Sequence, residues 1–110
     1  MNTRHTVFAL ADIMPGTVKR VLIGAVEIAV VRIDNSVYAI GDRCSHANVS
    51  LSEGEVHCET KELECIKHGS SFSLETGIPS SLPATQPVPV YTADVVDGNV
   101  VVTISDGATL

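Results

Sequence analysis

Two short pairs of metal-seeking side chains tie together parts of this chain that are distant in sequence. They are Cys44-Ser45-His46 and, after the eighteen residues 47–64, Cys65-Ile66-Lys67-His68. Each pair offers one thiolate and one imidazole, in the same order, so a fold that uses all four donors must carry both segments to one centre. The chain has three cysteines. A site made of four thiolates is therefore out of reach, and histidine has to complete any four-ligand set.

The rest of the chain limits what can surround such a centre. Its 110 residues suit a single domain, 1–110, with one hydrophobic core and no room for a second catalytic module. With 45% hydrophobic residues and no long block of like charge, it should fold rather than stay disordered. The most apolar segment, 21–33, is interrupted by Gly24, Glu27 and Arg32 and falls short of the roughly 20 apolar residues that span a bilayer. Residues 1–5 lack the basic start and apolar block of a secretory signal, which points to the cytoplasm and reduced thiols. A net charge of −6, with seven scattered Lys and Arg, argues against nucleic acid. The acidic balance serves solubility or steers the protein towards a basic patch on a partner.

Short runs rich in Val and Ile, separated by Gly, Pro, Asn and Asp, dominate the pattern, and no sustained helical period is present. The expectation is all-β, with strands at 6–10, 17–23, 26–33, 37–40, 56–58, 62–65, 71–73, 91–96 and 99–104. Pro15-Gly16, Asp34-Asn35 and Asp97-Gly98 fall between runs, where hairpin turns need residues tolerant of tight dihedrals. The segment 78–89 holds four of the five prolines and is expected as an extended surface connector. Both ligand pairs fall in loops, one after a strand and one at the end of a strand, so a cluster held at a tip is expected. Gly69 next to His68 would allow backbone N–H groups to approach a cluster, and Ser70 could add a hydroxyl donor. An ordinary turn is the plainer reading of that pair.

Two cysteines on one iron and two histidines on the other is the inventory of a Rieske-type [2Fe–2S] centre. The chain resembles the Rieske-type ferredoxins, in particular the small electron-carrier components of bacterial aromatic-ring dioxygenases. The likeness rests on Cys44-Ser45-His46, Leu51-Ser52-Glu53-Gly54, the stretch from Cys65-Ile66-Lys67-His68 through Gly69-Ser70-Ser71-Phe72, Thr76-Gly77, Leu82-Pro83-Ala84 with Pro87-Val88, Tyr91, and Asp97-Gly98-Asn99-Val100. It implies a Rieske fold of three stacked antiparallel β-sheets, in which a small subdomain at about 41–82 binds one [2Fe–2S] cluster. Cys44 and Cys65 would hold the inner iron, His46 and His68 the outer one, and Ser70 would contribute to the cofactor site. Ile66 stands where the family usually has proline. Val49 and Lys67 stand where high-potential members carry a disulfide, and Phe72 where they carry a tyrosine that bonds a cysteine sulfur. A centre near the lower end of the Rieske range of about −150 to +300 mV is therefore expected.

The resemblance implies a single-electron carrier between a flavin-containing NAD(P)H reductase and a terminal ring-hydroxylating dioxygenase, working by transient docking, as a monomer. The chain itself is not expected to be an enzyme. After His46 and His68 are assigned, only His5 and His57 remain for any second iron site, and no dinucleotide fingerprint is present. Alternatives are a Rieske redox protein of another pathway, such as iron–sulfur assembly, or a zinc-stabilised β module that binds a protein partner. A relative of this fold without a cluster, the small subunit of assimilatory nitrite reductase, lacks the ligands present here. Cys58 is read as a small core residue, and His5 and His57 as surface histidines.

Overall fold

The computed structural model of the protein describes residues 2–24, 26–43, 50–66, 69–80 and 86–105. The described residues form nine strands: β1 (Asn2–Ala9), β2 (Thr17–Ile23), β3 (Val26–Ile33), β4 (Ser36–Gly41), β5 (Glu55–His57), β6 (Glu62–Glu64), β7 (Ser71–Ser73), β8 (Val90–Val96) and β9 (Asn99–Ser105). Single 3₁₀ turns occur at Leu10–Asp12 and Leu51–Glu53. Among the described residues every strand pairing is antiparallel. One ladder runs β1-β9-β8-β4-β3-β2, and a separate three-stranded sheet runs β5-β6-β7.

The burial of β3 explains the layering. Its apolar run Ile28-Ala29-Val30-Val31 is buried at every position, which requires cover on both faces, because successive side chains of a strand point to opposite sides. Ile28 and Val30 pack into one core with Val37, Ala39, Val100, Val102, Ile104 and Ile13. Ala29 and Val31 pack into a second core with Ile40, Leu51, Leu63, Cys65, Phe72, Leu74 and Val88. The β2-β3-β4 sheet is thus the central wall of three layers, with β1-β9-β8 against one face and β5-β6-β7 against the other. β4 meets β8 over only two residue pairs, Ala39 with Tyr91 and Ile40 with Val90, so the six-stranded ladder is two three-stranded sheets joined at a short corner. The all-β architecture of three stacked antiparallel sheets expected from the sequence is the one present.

Hairpin chemistry follows the turn residues. Asp97 and Gly98 both have positive φ, 51° and 78°, the primed-turn geometry whose twist matches the flanking strands. Two expectations need correction. Cys58 is exposed rather than in the core, because β5 ends at His57 and the next residues turn. The connector 78–89 is not purely a surface segment: Val88 is buried at 4% exposure. Its N–H donates to Gly77 O at 2.9 Å, and Gly41 N–H donates to Pro89 O at 2.8 Å. This end of the connector therefore packs into the second core.

Candidate metal centre

Both ligand segments leave from the second core. The first leaves after β4. Asp42 and Arg43 follow the strand, Arg43 bridges to Ser50 across the segment 44–49, and Leu51 N–H donates to the Asp42 carbonyl. Ser52 N–H donates to Asp42 Oδ1 at 2.9 Å, and Arg20 Nε donates to Asp42 Oδ2 at 3.0 Å. Cys44 and His46 lie in this segment, outside the described residues, and so does Val49. The two ends of the segment are nevertheless defined, and they are stapled together.

The second ligand segment leaves at the end of β6. Cys65 follows the strand with 1% exposure, and Ser70 is fully buried. The turn between them closes through Cys65 N–H to Ser70 O at 2.6 Å and Gly69 N–H to Cys65 O at 2.9 Å. Gly69 has φ +76°, a left-handed conformation that side chains with a Cβ adopt at a cost. A Cβ there would sit 3.6 Å from Glu64 Oε2, an ordinary contact, so the backbone conformation rather than space calls for glycine. His68 and Lys67 are outside the described residues. Ile66, at the start of the turn, is 62% exposed.

Leu51 and Cys65 share one buried cluster, and between them Gly54 brings the chain against β6. A Cβ on Gly54 would fall 1.6 Å from the Glu64 carbonyl oxygen, so only glycine allows this approach. The structure thus brings together Cys65, Ser70 and the exit of the first segment at the same end of the small sheet. The donor chemistry fits a mixed cluster. Cys65 is a buried thiol in the core cluster with Phe72 and Leu63, whereas Cys58 is exposed beside Gly16 and is set apart from this end.

Sequence reasoning missed Asp42. Its partner Arg20 lies 22 residues earlier, so no local pattern announces the pair, although an aspartate directly after the apolar run of β4 was a usable signal. His57 is also more engaged than a plain surface histidine. Its Nε2 lies 2.8 Å from Glu64 Oε1 and 3.6 Å from Glu55 Oε2 on the outer face of the β5–β6 pair.

The Rieske [2Fe-2S] domain family matches residues 3–92 of the chain. The protein belongs to the Rieske [2Fe–2S] family. Among curated relatives, ferredoxin CarAc of Metapseudomonas resinovorans is 41% identical over 97 residues, covering 87% of this chain and 89% of the relative. The ferredoxin of carbazole 1,9a-dioxygenase from Nocardioides aromaticivorans superposes with a TM-score of 0.88 at 37% identity, covering 91% of this chain and 96% of that one. A ferredoxin in complex with the oxygenase of carbazole 1,9a-dioxygenase superposes with a TM-score of 0.83 at 40% identity, covering 90% and 91%. This Rieske ferredoxin carries one [2Fe–2S] cluster and is an electron carrier rather than a catalyst. Among the described residues, no helix is long and apolar enough to cross a membrane.

Proposed function

We propose that this Rieske ferredoxin takes single electrons from a flavin-dependent NAD(P)H reductase and delivers them to a terminal ring-hydroxylating dioxygenase, in the cytoplasm and as a monomer. The whole chain acts as one Rieske domain, 1–110, with the cluster-binding subdomain at about 41–82. Cys44 and Cys65 bind one iron, His46 and His68 the other, and Ser70 supports the cofactor.

The observation that carries the assignment is the placement of Cys65. It is a buried thiol at the tip of β6, in a turn closed by its own backbone, and the exit of the Cys44–His46 segment packs into the same core. The partner assignment is supported by relatives of closely matching length, one of which is a ferredoxin bound to the oxygenase of carbazole 1,9a-dioxygenase.

When bound, the cluster supplies a one-electron redox couple, neutral when oxidised and singly negative when reduced if both imidazoles are neutral. Cys65, buried to 1%, would hold the cluster from the side of the core. The exposed Ile66 beside it gives the tip an apolar edge on which a partner can close over a small area. An interface below about 1,200 Å² suits a shuttle that must leave each partner quickly.

Stopped-flow mixing of the reduced protein with an oxidised oxygenase of the carbazole 1,9a-dioxygenase type tests the reading. The expected result is second-order reoxidation of the ferredoxin that keeps pace with reduction of the oxygenase. Reoxidation at the same rate with and without the oxygenase would contradict it.

A further inference from the structure

Among the described residues Asp42 is the only buried carboxylate, with 0% exposure. A buried carboxylate is costly to desolvate unless it is both paired and hydrogen-bonded, and Asp42 is engaged on every side. Its Oδ2 accepts from Arg20 Nε of β2 at 3.0 Å, and its Oδ1 accepts from Ser52 N–H at 2.9 Å. Its carbonyl accepts from Leu51 N–H, and its own N–H donates to Glu27 O of β3 at 3.1 Å. One residue therefore links β2, β3 and the end of β4 to the far side of the segment that holds Cys44 and His46. Charge-assisted bonds are short and directional, so this contact restrains geometry as well as holding the ends together.

We propose that Asp42, held in place by Arg20, is the positioning residue of the first ligand segment: it ties Leu51 and Ser52 to the end of β4 and so anchors both flanks of the stretch that carries Cys44 and His46. This rests on the assignment of Cys44 and His46 as ligands. The Arg20 guanidinium also reaches Glu27 Oε1 at 3.4 Å, and Glu27 Oε2 meets Arg43 at 3.3 Å. That outer part of the network has 27% to 57% side-chain exposure and makes no bond to Leu51 or Ser52, so it provides a control.

The test uses the cluster-loaded protein with Asp42→Asn, Arg20→Gln, Arg20→Lys and Glu27→Gln. Amide exchange at Leu51 and Ser52 and the EPR g values of the reduced cluster are read in each. The expected result is faster exchange at both amides, by about tenfold or more, in Asp42→Asn and Arg20→Gln. Both variants should also shift g values, with partial recovery in Arg20→Lys and none of these changes in Glu27→Gln. Unchanged g values and unchanged local exchange, with only a lower melting temperature, would reduce Asp42 to a structural role and overturn the proposal. Reduction potentials that move up in Asp42→Asn and down in Arg20→Gln at constant g values would reveal a purely electrostatic effect and also overturn it. If Asp42→Asn does not fold, the two Arg20 variants decide the matter. Cys44→Ser separates the two readings: retention of the cluster there would contradict the ligand assignment, while exchange at Leu51 and Ser52 would still decide whether Asp42 clamps the segment.

Discussion

The difference between Cys65 and Cys58 is a difference of environment. Cys65 is buried in the core below the second ligand segment, whereas Cys58 is exposed in a turn. With the proposed ligand set, Cys44→Ser and Cys65→Ser should abolish the cluster, and His46→Ala or His68→Ala should lose it or alter its spectrum, because each would remove an inner-sphere bond. Cys58→Ser should keep its full iron and sulfide content. A colourless but folded Cys58→Ser protein would require a different ligand set. Phe72, fully buried in the same cluster as Cys65, offers no hydrogen bond to a sulfur. Phe72→Tyr should raise the midpoint potential measured by redox titration, since donors to the sulfurs stabilise the reduced, more negative state. An unchanged potential in a folded Phe72→Tyr protein would show that the hydroxyl does not reach a ligand sulfur.

At the scale of the elements, the contact between the 3₁₀ turn Leu51–Glu53 and β6 determines whether the two ligand segments share a base. Gly54→Ala would force a Cβ to within 1.6 Å of the Glu64 carbonyl oxygen, a backbone clash that no side chain can relieve. A loss of roughly 3 kcal/mol or more is expected, at the upper end of overpacking effects, and is readable as a lower urea midpoint. A midpoint unchanged from the parent protein would mean that the turn is free to move. The strands were largely legible in the sequence: β2, β3 and β7 have the boundaries expected from runs of Val, Ile and Phe bounded by turn residues. The pattern was strong because β3 is buried on both faces and the hairpin turns carry Gly or Asp. What could not be read was long-range or marginal. The Arg20–Asp42 pair spans 22 residues. Cys58 lies one residue beyond a three-residue strand, where a small shift of boundary moves a side chain from core to solvent. Val88 lies in a proline-rich stretch whose composition suggests exposure, yet it packs on the core through tertiary contacts.

For the whole molecule, small size and acidity govern how it meets partners. The body measures 38 × 31 × 19 Å, and both described ends of the ligand segments lie at one end of the β5-β6-β7 sheet. A net charge of −6 should speed encounter with a basic docking surface, and salt should screen the attraction. The second-order rate constant for reduction by a flavin reductase is thus expected to fall by roughly an order of magnitude between low salt and about 0.5 M. A rate independent of ionic strength would mean that steering plays no part. Electron transfer is proposed to rest on a [2Fe–2S] cluster held by four donors, Cys44, His46, Cys65 and His68. This proposal is tested most directly by the iron and acid-labile sulfide content of anaerobically purified protein, with an EPR spectrum after dithionite reduction. About two irons and two sulfides per chain are expected, with the low average g value of a histidine-ligated cluster. Colourless protein holding a single zinc ion would contradict the proposal.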